Sequence, residues 1–127
     1  MDQKLWKKTV EKHGHECPGV AIGFRIGEEV KRIFDEDEQI ACVTSVKGCA
    51  VDGVCSVTGL SVEDGTMRFD PSVEGFLFYA LDDEEGWLFR IKKLEVAKEA
   101  DPVLLILAAN TDMLYTIEPC DAPVVES

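Results

Sequence analysis

Several features that define common classes of protein are missing from this sequence of 127 residues. No apolar run approaches the roughly 20 residues that a membrane span needs. The amino-terminal segment also lacks the apolar core of a secretory signal peptide, so we expect a cytoplasmic protein with no membrane partner. There is no Cys-x-x-Cys pair, no glycine-rich phosphate loop and no Gly-x-Ser-x-Gly motif. Their absence argues against a zinc knuckle, a dithiol pair of the usual spacing, a phosphate-binding loop and a serine hydrolase.

Basic side chains are scarce as well. Thirteen Lys and Arg residues stand against 25 Asp and Glu residues, which gives a formal net charge of −12 at pH 7. Residues 1–32 hold seven basic and five acidic side chains, a net charge of +2, whereas residues 33–127 hold six and 20, a net charge of −14. Because such an acidic body repels a phosphate backbone, we expect no nucleic-acid partner.

The order of the predicted elements is typical of a single α+β domain. Apolar stripes and helix boundary signals predict helices at 4–12, 18–34, 50–59 and 102–110. Segments rich in β-branched and aromatic residues predict strands at 40–46, 66–69, 75–81, 87–94 and 113–118. We expect residues 82–86 to form a turn and the tail from Pro119 to lie along the surface. Helices thus come first, and strands mixed with helices follow, which indicates an α+β fold. The length of the chain is that of one domain.

Three glycines recur every four residues in the second predicted helix, at Gly19, Gly23 and Gly27. Each should cost about 1 kcal/mol relative to alanine in a helix interior. The favoured explanation is close packing of this smooth face against a sheet or another helix. The same face, with the apolar hairpin formed by 76–79 and 87–89, leads us to expect a homodimer.

The most informative stretch places His13, His15 and Cys17 within five residues. All three are potential transition-metal ligands, and alternate side chains of an extended loop lie on one side. Pro18 suits the first position of a helix, so Cys17 lies at a helix start, where the partial positive charge favours a thiolate. Cys49 repeats the arrangement, because it follows a predicted strand and precedes a predicted helix. We expect His15, Cys17 and Cys49 to bind a single metal, with His13 as a fourth ligand or an outer partner. The alternative is that both thiols are merely buried and the histidines are exposed to solvent.

Four other residues are candidates for lesser roles. Asp52 could cap its helix start or orient a ligand from outside the metal shell. Cys42 and Cys55 are expected in the core. Cys120 could be an extra ligand or a surface thiol. The total of five cysteines is odd, which disfavours a disulfide framework in a protein expected to be intracellular.

These motifs resemble those of the FmdE-like proteins, a family named for formylmethanofuran dehydrogenase. The matching segments are HGHECPGVAIGFRIG at 13–27, KGCAVDGVCSVTG at 47–59, LFRIK at 88–92 and LLILAANTDMLYTIEP at 104–119. The resemblance implies a two-layer α+β core with a mixed sheet and packed helices, similar to the catalytic domain of glyceraldehyde-3-phosphate dehydrogenase. It also points to a dimer. Some members add a C-terminal zinc finger, whereas residues 1–127 are expected to form the core domain alone.

The sequence departs from the family pattern after the third predicted helix. There, Thr58 and Gly59 are followed by Leu60 and Ser61, where the family usually has Cys-Thr and then a Gly-Lys-Gly-Asn turn. The third family cysteine and the lysine of that turn are therefore missing.

The resemblance implies a metal-associated site built from His15, Cys17, Cys49 and Asp52, with His13 beside them. It suggests an accessory or redox-linked component of anaerobic one-carbon or molybdopterin-type metabolism, with an oxidoreductase complex as a candidate partner. Zinc suits these ligands best, and nickel or iron also accept them. Two alternatives stay open. One is a small metal-dependent enzyme with Asp52 or His13 as general base, and the other is a metal-free protein in which Cys17 and Cys49 cycle as a redox pair.

Overall fold

The computed structural model describes residues 2–93 and 97–123 of the chain. Within these ranges the chain forms five helices and five strands. In chain order they are α1 Gln3–His13, α2 Pro18–Ile33, β1 Ile40–Thr44, α3 Cys49–Thr58, β2 Met67–Phe69, β3 Phe76–Ala80, β4 Glu85–Ile91, α4 Pro102–Ala108, α5 Thr111–Leu114 and β5 Tyr115–Asp121.

The strands form one mixed sheet in the order β2-β1-β3-β4-β5. Strands β1 and β2 are parallel, and the other neighbours are antiparallel. The main core lies between one face of this sheet and the helices, where Phe76, Phe78 and Phe89 are fully buried. The expected α+β fold, with a mixed sheet and packed helices, is confirmed.

The carboxyl-terminal strand is longer than the sequence pattern predicts. Strand β5 continues through Pro119 to Asp121 and pairs with β4 along its whole length, so the predicted strand end at residue 118 was wrong. Pro119 and Asp121 are exposed, as expected for the tail. Pro119 is tolerated because β5 is an edge strand, where a missing backbone N–H removes no ladder hydrogen bond on the open side. Strand β4 likewise begins at Glu85, inside the predicted turn. The predicted end of that strand, Leu94, lies outside the described residues.

Helices α2 and α3 pack side by side at backbone contact distance. The contacts pair Gly19 with Cys49, Gly23 with Ala50 and Gly27 with Val57. A Cβ atom on Gly19 would lie 2.8 Å from the Cβ of Cys49, and one on Gly23 would collide with the carbonyl oxygen of Ala50. Since the pairs run in the same order along both helices, α2 and α3 are parallel and their amino-terminal ends lie together. The predicted packing of the glycine face against another helix is confirmed.

This packing removes one reason for expecting a dimer, because α3 of the same chain already covers the glycine face. The hairpin of β3 and β4 also buries most of its apolar side chains within its own chain, although Trp87 remains 39% exposed. The homodimer stays a prediction. No helix in the described part of the chain is long and apolar enough to cross a membrane.

Candidate metal centre

Three segments of the chain converge at the joined ends of α2 and α3. His13 is the last residue of α1, and Gly14, with a φ of 102°, turns the chain into a short link. That link carries His15 and ends at Cys17, the residue before α2, while Cys49 is the first residue of α3. One potential ligand atom from each of the two histidines and two cysteines lies within 4.8 Å of all the others. The structure therefore brings the four predicted ligands into one cluster that could hold a metal ion.

The donor set and its spacing fit a transition metal such as zinc. Two thiol sulfurs and two imidazole nitrogens are a common tetrahedral zinc set, and ligand atoms around such an ion lie about 3.3–3.8 Å apart. The Sγ of Cys17 already lies 3.7 Å from the Nε2 of His13. The remaining separations, up to 4.8 Å, need a contraction of at most about 1.5 Å, which falls within the reach of side-chain rotation.

Asp52 holds the ring of His13 in place. The Nδ1 of His13 lies 2.7 Å from the Oδ2 of Asp52, a residue in the first turn of α3. Because Nδ1–H donates to this carboxylate, the lone pair of His13 is on Nε2, the atom that faces Cys17. Of the two roles open for Asp52, the structure supports the partner that orients a ligand rather than the helix cap. The role of His13 as fourth ligand or outer partner stays a prediction.

The exposure of the four candidate ligands is uneven. The side chain of His13 is only 8% exposed, Cys17 and Cys49 are partly exposed, and His15 is exposed. The rings of the two histidines lie with their centroids 4.5 Å apart. His15 is thus the outermost member of the cluster, carried by a link rather than by a helix.

The neighbours of Cys49 disfavour its thiolate form. A hydrogen bond with the Cys17 thiol raises the pKa of Cys49, and the nearby carboxylate of Asp52 acts in the same direction. For Cys49 these neighbours outweigh the helix-start effect that predicts a thiolate. A cation bound between the two sulfurs would favour the thiolate form of both cysteines.

The other three cysteines lie outside the cluster. Cys42 is fully buried in β1, and burial raises its pKa well above the usual value. Cys55 is partly buried in α3, and desolvation raises its pKa too. Both therefore have the predicted core environment. Cys120 lies on β5 opposite Gly86 and is not part of the described cluster.

Sequence reasoning missed the contact that fixes α1 against α3. Thr9 is fully buried, donates to the carbonyl oxygen of Leu5 at 2.8 Å, and lies 3.0 Å from the hydroxyl of Ser56. Since His13 lies one turn further along the same helix, this contact also positions a candidate ligand. A threonine on the apolar side of α1 was the only sequence signal. Beside it is a cavity of about 120 Å³ lined by Thr9, Lys12, His13, Asp52, Cys55 and Ser56.

The fold and the cluster define an α+β protein with a candidate His₂Cys₂ metal centre at the starts of two parallel helices. The family model described as "FmdE, Molybdenum formylmethanofuran dehydrogenase operon" matches residues 12–112, a region that contains all four candidate ligands and Asp52. The chain belongs to the FmdE family.

A solved structure shares the fold. It is a tungsten formylmethanofuran dehydrogenase FmdE-like protein from Syntrophus aciditrophicus, with a TM-score of 0.68 and 18% sequence identity. The alignment covers 94% of this chain and 70% of that chain. No curated protein matches this sequence.

Proposed function

We propose that this FmdE-like protein binds one transition metal between His13, His15, Cys17 and Cys49. Zinc is the metal that two thiolates and two imidazoles favour, and nickel or iron accept the same donors. The protein would serve as an accessory or redox-linked component of anaerobic one-carbon or molybdopterin-type metabolism, in contact with an oxidoreductase complex. The family description, which refers to a molybdenum formylmethanofuran dehydrogenase operon, supports this metabolic setting.

The observation that carries the proposal is the convergence of four donor atoms from three chain segments. Four protein ligands are typical of a closed structural or storage site, whereas three ligands and one open position are typical of catalysis. The chain's own residues would bind and orient the metal, with Asp52 holding His13 in the tautomer that leaves Nε2 free to bind.

The exposure of His15 favours one alternative, a small metal-dependent enzyme. If His15 left the shell, three ligands and an open position would remain, and a bound metal would then supply Lewis-acid chemistry. Cys17, Cys49 and Asp52 are the candidate catalytic residues in this alternative. Asp52 could act as a general base through Oδ1, because its hydrogen bond to His13 engages only Oδ2.

Metal content tests the proposal directly. Protein purified anaerobically without chelator should carry about one metal ion per chain by elemental mass spectrometry. Cys17→Ser and Cys49→Ser, each checked for folding by circular dichroism, should lose it. Cys120→Ser is the matched control, because it removes a partly exposed thiol outside the cluster.

Two outcomes would contradict the proposal. Full metal occupancy in a folded Cys17→Ser or Cys49→Ser variant would show that the shared site is wrong. Wild-type protein that carries no metal and takes up none would leave the metal-free redox pair of Cys17 and Cys49 as the better explanation.

We also propose that the chain forms a homodimer. The apolar side chains that its own core leaves exposed include Leu81 and Trp87, 56% and 39% exposed, and a partner could cover them. A monomer by light scattering at micromolar concentration would contradict this. The likeness to the catalytic domain of glyceraldehyde-3-phosphate dehydrogenase is a further proposal, which superposition of the two cores would test.

A further inference from the structure

The two cysteines of the cluster are placed for chemistry with each other as well as with a metal. Cys17 and Cys49 stand at adjacent helix starts, both are partly exposed, and their sulfurs lie within 4.8 Å. The close approach of Gly19 to the Cβ of Cys49 keeps the two helix ends in contact. The other cysteines lack this combination, since Cys42 is fully buried and neither Cys55 nor Cys120 belongs to the described cluster.

We propose that Cys17 and Cys49 form a reversible disulfide that switches the metal site off, an inference that rests on the proposed metal-binding function. A disulfide needs the sulfurs at about 2.05 Å, so each side chain has to rotate toward the other across a gap of less than 3 Å. Once the bond forms, both sulfurs leave the donor set and only His13 and His15 remain. Two imidazoles, one of them exposed, do not make a four-coordinate site.

The oxidant that completes the chemistry is a peroxide. The thiolate of one cysteine attacks an oxygen of hydrogen peroxide, the O–O bond breaks, and a sulfenic acid and hydroxide form. The thiolate of the second cysteine then attacks that sulfur and expels a second hydroxide as the S–S bond forms. Two electrons pass from the sulfurs to the peroxide, and two protons convert the hydroxides to water. A small dithiol reverses the step by exchange.

The test uses the full chain loaded anaerobically with one equivalent of zinc. Stoichiometric hydrogen peroxide is added, released zinc is followed with a chromogenic chelator, and the product is analysed by intact mass and peptide mapping. We expect about one zinc released per chain, a mass lower by about 2 Da, and a single Cys17–Cys49 linkage. Dithiothreitol followed by zinc should restore occupancy.

Two variants sharpen the result. Cys120→Ser should respond as the wild type does, whereas Cys17→Ser should form no internal linkage to Cys49. Zinc release without that linkage, linkage to another cysteine, or zinc retained while the linkage forms would each overturn the switch. A zinc-loaded chain that keeps its metal under peroxide overturns only the switch, whereas a chain that binds no zinc before oxidation overturns the proposed function as well.

Discussion

Gly23 lies midway along the contact between α2 and α3, and replacing it tests whether this helix pair builds the site. In Gly23→Ala the new Cβ would overlap the carbonyl oxygen of Ala50 and lie 2.9 Å from its carbonyl carbon and 3.0 Å from the amide nitrogen of Val54. All three atoms belong to the backbone, so no side-chain rotation relieves the overlap and α3 has to move. We expect lower stability and weaker metal binding, because this movement separates Cys17 from Cys49.

Two opposing effects set the magnitude of the stability change. Alanine is favoured over glycine in a helix interior by about 1 kcal/mol. Overpacking costs about 1–3 kcal/mol and occasionally more, and overlap of backbone with Cβ belongs at the upper end. The overlap therefore wins, and we expect a net loss of about 2 kcal/mol. With a urea m-value of about 2 kcal/mol per molar, the unfolding midpoint should fall by about 1 M.

The other two glycines provide a matched pair of variants. A Cβ on Gly19 would lie 2.8 Å from the Cβ of Cys49, and one on Gly27 would lie 2.7 Å from the Cβ of Val57. The two overlaps are similar, so urea unfolding should show similar losses of stability. Only Gly19→Ala displaces a candidate ligand, so zinc affinity measured by chelator competition should fall more in Gly19→Ala than in Gly27→Ala. Equal zinc losses in the two variants, or wild-type stability with full zinc in Gly23→Ala, would refute this reasoning.

Three further predictions concern single side chains. Asp52→Ala should weaken zinc binding by about 10–100-fold, because it frees the ring of His13. Asp52→Asn should restore part of the affinity, and an equal loss in the charge control Glu16→Gln would contradict the orienting role. Cys42→Ala should lower the free energy of unfolding by about 1–2 kcal/mol, as expected for a small buried side chain, with zinc content unchanged; zinc loss in the folded variant would mean that the ligands are wrongly assigned. Burial raises the pKa of Tyr115 from 10.0 to about 12, so its neutral form is favoured in the folded state. Stability measured in urea should therefore fall as the pH rises from 10 to 12, and the fall should be shallower in Tyr115→Phe.

The chemistry of the candidate site could be predicted from the sequence because it depends on local properties. Residue type determines which atoms can bind a metal, and the two-residue spacing of His15 and Cys17 allows one link to present both. The predicted place of His13 in that link was wrong, because His13 is the last residue of α1. Pro18 likewise marks the helix start that follows Cys17. The four-residue spacing of the glycines predicted a close contact, since glycine every turn leaves a helix face without side chains.

Only the tertiary structure decided which surfaces meet. The glycine face packs on α3 rather than on a second copy of the chain, and this parallel pairing brings Cys49 to Cys17. The same pairing gives Asp52 its partner, because His13 lies 39 positions away in the sequence and no local pattern relates the two. Pairing with β4 also extends β5 past Pro119, since the cross-strand hydrogen bonds of an edge strand outweigh the local proline signal. These contacts join residues that are far apart in the sequence, so no local sequence pattern reveals which residues will pack together.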